Sequence, residues 1–352
     1  MYKDIDIKEA LEMNDALLID VRSEDEYSEA TIPGAFNVPV FNNDERTAVG
    51  TAYKLQGPDF ARRIGLELVS KRLPAKVEAI DKIADSKKKI AVFCWRGGQR
   101  SQFMASVLDT MGYSVYRLNG GYKAYRRYVN EYLNREELNQ RAVVLHGLTG
   151  VGKTDVLNMV GRKGIPALDL EGFAKHRGSV YGKIGLPPSP TQKAFESSIV
   201  QFLTGTEEKG IFVVECESRR IGNLTLPVPL MNSIKKGYRV LLYSSLENRV
   251  MRIKEVYTNG PENNVKDLKE ATSSLVNRLG RARVEELNRL LEEKKFETVF
   301  TYLLEKYYDP FYKYPDRPSD EYDLSVDTRD MEKAAEAICE FVKNLPEYKK
   351  AW

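Results

Sequence analysis

The sequence predicts an α/β protein in which two domains follow one another, each with a parallel sheet. The chain has 352 residues, and domains average about 150 residues. Short apolar runs alternate along it with stretches of helical periodicity, the pattern of a parallel sheet covered by helices on both faces. We predict a first domain over 1–130, a helical connector over 131–140, and a second domain over 141–352 that ends in a helical region.

The first domain contains three apolar runs that are predicted to be strands. They lie at 16–21, 89–93 and 114–118. Residues 99–111 have helical spacing and stop before Gly112, a residue suited to a helix C-cap. Residues 122–140 are polar and aromatic with helical spacing, and this pattern predicts the connector helix.

The second domain is predicted to repeat this alternation. Its strands are the apolar runs at 141–146, 211–214 and 240–243. A helix is expected to begin at Asp155, and a longer helix is expected over 267–295, which is rich in Leu, Arg and Glu.

The composition is that of an ordinary globular protein, with 42% hydrophobic and 30% charged residues. The net charge of +3 indicates no basic domain for nucleic acid, although it leaves room for a local basic patch. No apolar run approaches the roughly 20 residues of a transmembrane helix, and the N-terminal segment lacks the apolar stretch of a secretory signal. Three Cys and two His predict neither a disulfide framework nor a zinc site, and they fit a cytoplasmic protein.

One cysteine stands in a Gly-rich turn between a predicted strand and a predicted helix. The turn reads Cys94-Trp95-Arg96-Gly97-Gly98-Gln99-Arg100-Ser101. Amide N–H groups at a helix N-terminus favour a thiolate, the glycines let the backbone curl around one centre, and the arginines add positive charge. The turn therefore predicts a nucleophilic sulfur that attacks or carries a group attached to an oxyanion. The other cysteines, Cys216 and Cys339, are interpreted as small apolar residues.

A second Gly-rich turn, at 147–154, matches the phosphate-binding P-loop pattern between a predicted strand and a predicted helix. Its candidate diphosphate-binding residues are Gly147, Thr149, Gly150, Val151, Gly152, Lys153 and Thr154. Lys153 is expected to contact the terminal phosphate and Thr154 to bind Mg²⁺. Glu215 and Glu217 follow a buried strand, and either one is expected to complete the Mg²⁺ site. The pattern predicts a bound di- or triphosphate and leaves ATP hydrolysis open.

The stretch at 169–196 gathers residues that are typical of anion contact. His176, Arg177 and Ser179 lie close together there, beside glycine. The alternative is a surface loop with a helix cap at Ser179. His146, directly before the P-loop, is interpreted as a structural residue at a strand end.

Four segments of the first domain resemble the rhodanese family, whose members carry sulfane sulfur on a loop cysteine as a persulfide. They are Leu18–Arg22, Ala30–Pro39, Cys94–Ser101 and Leu118–Tyr122. Thr31 stands where many members have a His that is not catalytic. Five residues separate Cys94 from Arg100, one more than in many sulfur-carrying members, as in phosphatase relatives of the fold. A wider ring of amides fits a tetrahedral anion, so a phosphatase and a chalcogen carrier with a phosphate-like donor both stay open.

A rhodanese-like α/β domain ahead of a P-loop NTPase-like α/β domain resembles the tRNA 2-selenouridine synthase family. The resemblance runs from about residue 15 to about residue 225 and includes segments beyond the two turns. They are Glu45–Thr51, Gly120–Arg126, Asp169–Gly172, His176–Ser179 and Glu215–Arg219.

This resemblance implies a transferase that converts wobble 2-thiouridine of tRNA to 2-selenouridine with selenophosphate, through S-geranylation by geranyl diphosphate. It implies that Cys94 handles selenium, that the turn from Trp95 to Arg100 binds selenophosphate, and that the P-loop holds geranyl diphosphate. A supplier of selenophosphate is an expected partner, and Mg²⁺ is an expected cofactor. The candidates for additional phosphate or tRNA contact are His176, Arg177, Ser179, Glu215, Glu217 and Arg219.

Contact with tRNA is expected to depend on charge and shape. The candidate basic side chains are Arg126, Arg127, Lys175, Arg177, Arg219, Arg220, Arg278, Arg281 and Arg289.

Three other functions stay open. An ATP-dependent tRNA or small-molecule sulfurtransferase would use a Cys94 persulfide. A phosphatase would use Cys94 and Arg100, although the sequence has no clear aspartate signature for its general acid. A sulfur-relay protein would only present a persulfide to a partner, and the complete P-loop argues against that role.

Overall fold

The computed structural model describes residues 1–13, 15–84, 89–258 and 264–348. The chain divides into two compact units, Met1–Leu133 and Asn134–Trp352. Each unit contains a five-stranded sheet in which every strand pair is parallel, and helices connect the strands. The predicted α/β class is therefore confirmed. Among the described helices, none combines the length and the apolar character that crossing a membrane requires.

The first unit has the sheet order β1-β5-β4-β2-β3. Its elements in chain order are β1 (Lys3–Ile5), α1 (Ile7–Glu12), β2 (Ala16–Asp20), α2 (Glu24–Glu29), β3 (Phe36–Asn37), α3 (Asn43–Gln56), α4 (Pro58–Ser70), α5 (Leu73–Ile83), β4 (Lys89–Phe93), α6 (Gln99–Thr110), β5 (Val115–Leu118) and α7 (Gly121–Leu133). Asp20 at the end of β2 pairs in register with Phe93 at the end of β4. Because parallel strands share their carboxyl edge, the turns after β2 and β4 meet there.

The second unit has the sheet order β12-β11-β6-β8-β7 and a separate two-stranded hairpin. Its elements are β6 (Arg141–His146), α8 (Lys153–Arg162), β7 (Ala167–Leu168), α9 (Leu170–Ala174), α10 (Gln192–Gly205), a 3₁₀ turn (Glu207–Lys209), β8 (Ile211–Glu215), β9 (Arg220–Ile221), β10 (Leu224–Thr225), α11 (Val228–Lys236), β11 (Tyr238–Tyr243), α12 (Leu246–Thr258), α13 (Asn264–Ser273), α14 (Val276–Leu279), α15 (Arg281–Glu292), α16 (Phe296–Leu303), a π-helical turn (Leu304–Tyr308), α17 (Asp309–Tyr312), β12 (Leu324–Asp327) and α18 (Met331–Lys343).

The central strand of this second sheet leads into the P-loop. Leu145 on β6 pairs with Glu215 at the end of β8, so the sheet brings this carboxylate beside the loop. Val143, Leu145 and Val213 are fully buried in one apolar cluster with side chains of α8 and α18. Packing in this cluster holds β6, β8 and α8 in place, and the P-loop connects β6 to α8.

Two predicted helices differ from the structure. The helical connector predicted over 131–140 is wrong beyond Leu133, where α7 ends and the chain turns. Residues 134–140 contain one apolar side chain, Leu138, and so have no stripe to bury. The single helix predicted over 267–295 is instead divided into α13, α14 and α15, and Gly280 separates the last two with a φ of +81°. The helices α3, α4 and α5 were not assigned from the sequence.

Candidate functional site

The Cys94 turn rests on the first turn of α7. The amide N–H groups of Tyr122 and Lys123 donate to the carbonyl oxygens of Cys94 and Trp95, at 2.8 and 2.9 Å. This close approach requires glycine at position 121, where φ is +56° and a Cβ would lie 2.2 Å from the Cys94 oxygen. The Asn-Gly-Gly segment that resembles rhodaneses therefore fixes the back of the cysteine turn.

The front of the turn presents amide donors. In the described part of the chain, the amide N–H groups of residues 95–101 donate to no protein acceptor. Cys94 is 4% exposed, and its Sγ lies 3.3 Å from Oγ of Ser101. A run of free amides at the start of α6, beside a thiol, is an arrangement that binds an anion.

The two arginines of the turn have different surroundings. Arg100 makes a two-pronged ion pair with Glu26, with Nη1–Oε2 at 2.5 Å and Nη2–Oε1 at 3.1 Å. Burial raises the pKa of Glu26, but the hydrogen bonds and charge of Arg100 outweigh it and leave that pKa below its usual value. Arg96 is exposed, as are Trp95 and Gln99, and Trp95 packs on Tyr122 with ring centroids 5.7 Å apart. Arg96 is therefore the turn's accessible cation.

The segment Glu45–Thr51 supplies a further cation to this edge. Arg46 Nε lies 3.7 Å from Oε2 of Glu26, so Glu26 is shared between Arg46 and Arg100. A Cβ on Gly50 would lie 2.8 Å from the Arg46 guanidinium, so the glycine leaves room for that side chain. Glu26 and Arg46 were not among the predicted site residues, although Arg46 lies in the Glu45–Thr51 segment that carries part of the family resemblance.

Another rhodanese-like segment has a structural role. Asp20 and Arg22 form a buried ion pair, and Arg22 also donates to the carbonyl of Ala30 and stacks 4.0 Å from the Tyr122 ring centroid. Thr31 donates to Asp20 at 2.8 Å. These contacts tie β2, the following loop and α7 together beneath the cysteine turn.

The P-loop is held by two arginines of α12. Arg249, which is 2% exposed, donates from Nε to the carbonyl of Thr149 at 2.8 Å. Arg252 donates to the carbonyl of Val151 at 3.0 Å. The Val151 amide donates within the loop to the Leu148 carbonyl at 3.4 Å, which leaves the other loop amides for a ligand. Lys153 Nζ donates to the Gly147 carbonyl at 3.0 Å.

Most predicted P-loop residues line one cavity of about 580 Å³. They are Gly147, Thr149, Gly150, Gly152, Lys153 and Thr154. Val151 differs, because its side chain is buried in the apolar cluster behind the loop and packs against Gly147. It anchors the loop and offers no side-chain contact to a ligand.

The same cavity continues away from the P-loop between apolar side chains. The apolar and aromatic residues along this part are Tyr181, Leu186, Pro187, Ile253, Val256, Tyr257, Phe300, Leu303, Leu304 and Tyr308. Tyr308 lies in the π-helical turn, and its buried hydroxyl has no hydrogen-bond partner in the described ranges. The cavity thus joins a phosphate-binding end to an apolar end.

Three carboxylates meet beside Lys153 and Thr154. One oxygen each from Glu171, Glu215 and Glu217 lies within 4.8 Å of the other two. Burial, together with repulsion from the neighbouring carboxylates, raises the pKa of Glu171 and brings that of Glu217 to about 7. Burial likewise raises the pKa of Glu215, whose Oε1 has no hydrogen-bond partner among the described residues. The cluster is short of positive charge.

Glu171 was missed as a site residue by the sequence analysis. It is the second residue of α9, and its Oε2 is 3.3 Å from the Thr154 hydroxyl. The signal was present in the Asp-Leu-Glu-Gly segment, where Asp169 caps α9 and so sets the direction of the following Glu. Arg249 and the aromatic residues around Tyr312 were also missed, because nothing in their own sequence marks them.

The remaining residues predicted to contact phosphate or tRNA either line the cavity or lie outside it. Arg177 and Ser179 line the cavity, where Ser179 Oγ lies 3.3 Å from the Tyr257 hydroxyl. His176 is outside the cavity lining, packed against Gly182 and Gly222, and its Nδ1 accepts from the Gly178 amide at 3.1 Å. Arg219 is exposed and also outside the lining, because the chain leaves the sheet towards the β9–β10 hairpin.

The second unit places its two cysteines and His146 in three different environments. Cys216 lines the cavity, where its Sγ accepts from the Tyr314 hydroxyl at 3.5 Å and burial raises the pKa of its thiol. Cys339 is buried in the apolar cluster, as expected. His146 ends β6 and packs edge-on against Tyr314, and burial lowers its pKa to about 4.

The candidate tRNA-contacting cations lie on several different elements of the two units. Lys175 and Arg177 line the cavity, and Arg219 and Arg220 are exposed nearby along the chain. The others lie on different elements or pair on their own helix. Arg126 and Arg127 are on α7, Arg278 is on α14, and on α15 Arg281 and Arg289 pair with Glu285 and Glu293.

Both units match known protein families. Residues 140–341 match the model of the tRNA 2-selenouridine synthase AAA domain, and residues 5–128 match the rhodanese-like domain. A tRNA 2-selenouridine synthase of Pseudomonas syringae pv. syringae is 34% identical over 87% of this chain and 90% of its own length. The chain belongs to the tRNA 2-selenouridine synthase family. Another member, from Sulfurovum sp., is 32% identical over 86% of this chain and 89% of its own length.

Among solved structures, the N-terminal domain of a protein from Clostridium difficile 630 is 41% identical. The match covers 36% of this chain and 97% of that one, with a TM-score of 0.34. In this selenouridine synthase family member, the rhodanese-like match contains the Cys94 turn, and the AAA-domain match contains the P-loop, the three carboxylates and α12.

Proposed function

We propose that this protein modifies tRNA by replacing the sulfur of wobble 2-thiouridine with selenium, using geranyl diphosphate and selenophosphate. The names of its relatives support the tRNA substrate and the product. One observation favours geranyl diphosphate in the second unit: the P-loop cavity has a phosphate-binding end and an apolar end. A prenyl diphosphate has the same two-part character.

The apolar end distinguishes a prenyl chain from a nucleotide. A nucleoside would bring ribose hydroxyls and base nitrogens, which lose hydrogen bonds to water in an apolar site. A ten-carbon chain gains about 0.8 kcal/mol for each methylene buried against Ile253, Phe300 and Leu303. The cavity therefore favours geranyl diphosphate over ATP as its ligand.

The carboxylate cluster fits Mg²⁺. Mg²⁺ prefers hard oxygen ligands, and the unpartnered Oε1 of buried Glu215 and the hydroxyl of Thr154 are such oxygens, with Glu171 and Glu217 adjacent. Bound there, Mg²⁺ would neutralise charge on the diphosphate. We assign Thr154 and Glu215 as its ligands, with Glu171 and Glu217 holding its water shell.

In the geranylation step, the thione sulfur of the base bonds to C1 of the geranyl chain as the C1–O bond to diphosphate breaks. The electron pair leaves with the diphosphate oxygen, and the proton on N3 of the base is released. Lys153 would turn from the Gly147 carbonyl to the terminal phosphate, and the P-loop amides would hold the departing charge. Alkylation also makes the sulfur a better leaving group.

In the selenation step, the Cys94 thiolate takes the phosphoryl group of selenophosphate as the P–Se bond breaks, which releases hydrogenselenide. The hydrogenselenide attacks C2 and gives its proton to N3, the C2–S bond breaks, and the geranyl thiolate leaves and takes a proton from water. Water then cleaves the S–P bond on Cys94 and releases phosphate. We assign Cys94 the delivery of selenium and the free amides of residues 95–101 the binding of selenophosphate, a phosphate-sized anion. Arg96 is the accessible cation for it, while Arg100 with Glu26 shapes the turn.

Nucleoside mass spectrometry tests this function. The protein is incubated with 2-thiouridine tRNA, Mg²⁺ and geranyl diphosphate, and then with selenophosphate. A geranyl mass adduct in the first step and a selenium isotope pattern in the second are expected. If properly folded protein gives neither product, the proposal is wrong, and an ATPase assay would then test the ATP-dependent sulfurtransferase.

A further inference from the structure

Three aromatic side chains beside the P-loop cavity have no part in the mechanism above. Phe311, Tyr312 and Tyr314, here called the aromatic rim, follow the π-helical turn. Tyr312 and Tyr314 line the cavity, and their rings stack at 11° with centroids 6.2 Å apart. Phe311 packs edge-on against Tyr312, with centroids 5.4 Å apart. The rim therefore presents ordered rings at the cavity.

Two rim side chains are exposed and Tyr314 is half-buried, in contrast to the buried side chains at the apolar end of the cavity. Phe311 is 69% exposed and Tyr312 is 40% exposed, whereas Phe300 and Leu303 are at most 2% exposed. Large aromatic side chains left in water at a binding cavity indicate a surface that a ligand covers. Burial in the apolar end stabilises a prenyl chain more than contact with the rim would. The rim therefore suits a planar ligand that stays partly exposed to solvent.

One buried arginine, Arg249, connects the rim to the P-loop through hydrogen bonds. Arg249 donates from Nη1 to Oδ2 of Asp309 at 2.9 Å and pairs through Nη2 with Oδ1 at 2.5 Å. The same guanidinium donates to the P-loop carbonyl of Thr149. Asp309 begins α17, which carries Phe311 and Tyr312, so the rings keep a fixed position relative to the phosphate-binding loop.

Three positively charged side chains belong to the cavity lining or to the segment of the rim. Lys175 lines the same cavity, and Lys313 and Arg317 are exposed in the segment of the rim. In the part of the chain that the structure describes, Lys175, Lys313 and Arg317 form no ion pair with a carboxylate. Aromatic rings with free cations next to them are the combination by which proteins bind single-stranded RNA, since rings stack on bases and cations hold the phosphates.

We propose that the aromatic rim is the nucleobase subsite of the P-loop unit, with Tyr312 stacking on the pyrimidine that is alkylated. The assignment rests on the proposed function, because it takes the RNA base as the second substrate of the cavity. Tyr312 lines the same cavity as Glu171, Glu217 and the P-loop, so a base stacked on its ring would share the cavity with the diphosphate.

The test compares Tyr312→Ala with Tyr312→Phe in the full chain. The substrate is an anticodon stem-loop RNA with 2-thiouridine at the wobble position, and KM is measured separately for RNA and for geranyl diphosphate. Loss of one stacked base raises the RNA KM by roughly 5- to 150-fold in Tyr312→Ala. Tyr312→Phe keeps the ring and stays within about 3-fold, and the KM for geranyl diphosphate changes by less than about 2-fold in both variants. Tyr53→Ala, at an aromatic side chain that is 58% exposed in the first unit, is the matched control.

A rise in the KM for geranyl diphosphate with an unchanged RNA KM overturns the proposal, because the ring would then cover the prenyl chain. If the wild-type protein does not geranylate RNA at all, the proposed function fails. Fluorescence anisotropy of the labelled stem-loop then tests RNA binding at the rim separately. Weaker RNA binding in Tyr312→Ala than in Tyr312→Phe, with an unchanged salt dependence, supports the subsite. Equal binding of the two variants overturns it.

Discussion

The two anion sites of this molecule balance charge in opposite ways. At the Cys94 turn, the nearby carboxylate of Glu26 is shared between Arg100 and Arg46, and its pKa is lowered. At the P-loop, Glu171, Glu215 and Glu217 crowd around Lys153 with raised pKa values. The first site is already charge-compensated, whereas the second has negative charge in excess.

This difference indicates what each site needs from its ligand. Free amides beside a compensated ion pair can accept an anion without a further ion. The P-loop cavity instead combines phosphate-binding amides with carboxylates that would repel the phosphates, so it needs a cation between them. The two sites should consequently respond independently to mutation, metal and pH.

The largest expected effect comes from Cys94→Ser. Removing the sulfur that is proposed to deliver selenium should lower selenation of S-geranyl RNA by at least about 1,000-fold, because the loop retains its amides but loses its nucleophile. Geranylation should stay within about 2-fold of wild type, since it uses the other unit. Both products are measured by nucleoside mass spectrometry. Full selenation by a Cys94→Ser protein with an unchanged thermal midpoint would exclude the assigned role.

Lys153→Ala should show the reverse pattern with a somewhat smaller loss. Removing the cation that faces the departing diphosphate should reduce geranylation by about 100- to 1,000-fold. Selenation of RNA that was geranylated beforehand should be preserved. Lys163→Ala is the control, since Lys163 follows α8 and pairs with Glu332 at the surface. Loss of both reactions in a folded Lys153→Ala protein would mean that the two chemistries share one site.

Local sequence could predict these two turns because each carries its chemistry within eight residues. The strands at 89–93 and 141–146 have the predicted bounds, and the strand–turn–helix setting followed from apolar runs beside glycine. Sequence could not predict Glu26 or Arg249, because each acts through a partner 74 or 60 residues away. Such pairs depend on how the helices pack against the sheet.

The surroundings of His176 and the helix boundaries within 267–295 depend on contacts and backbone angles that local sequence does not show. His176 has a side chain suited to binding an anion, but its ring packs against Gly182 and Gly222, outside the cavity lining. The 267–295 stretch has helical spacing throughout, yet Gly280 adopts a positive φ that ends the helix. In both cases, a tertiary contact or one backbone angle outweighs the local pattern.

The pH dependence of stability should differ with and without Mg²⁺. Glu217 has a folded pKa of about 7 and an ordinary unfolded value near 4.5, so its contribution is fully present below pH 4.5 and is lost as pH rises through 7. Glu171 and Glu215 shift in the same direction. Without divalent ions, the free energy of unfolding should fall by at least about 2 kcal/mol between pH 5 and pH 8.

Denaturant unfolding at several pH values measures this fall. Saturating Mg²⁺ should reduce it, because the cation stabilises the ionised carboxylates that burial disfavours. Glu217→Gln should also flatten the curve, whereas Glu136→Gln, at an exposed residue of the same unit, should not. An equally steep fall in Glu217→Gln would show that other groups cause the pH dependence.

The smallest predicted effect concerns the cation shared with the Cys94 turn. In Gly50→Ala the new Cβ would lie 2.8 Å from the Arg46 guanidinium and displace it from Glu26. Because Arg46 is 43% exposed, its pairing is worth little, and the KM for selenophosphate should rise only about 2- to 5-fold. Geranylation should be unchanged, and Gly205→Ala, where a Cβ meets nothing within 4 Å, is the control.

A double-mutant cycle separates this contact from a general disturbance of α3. Arg46→Gln alone should raise the same KM by a similar factor, and the double variant should be no worse than either single variant. This non-additivity is expected because Gly50 acts only by leaving room for Arg46. If the two effects multiply instead, the glycine supports the turn by another route, and the charge balance assigned to Glu26 does not depend on Arg46.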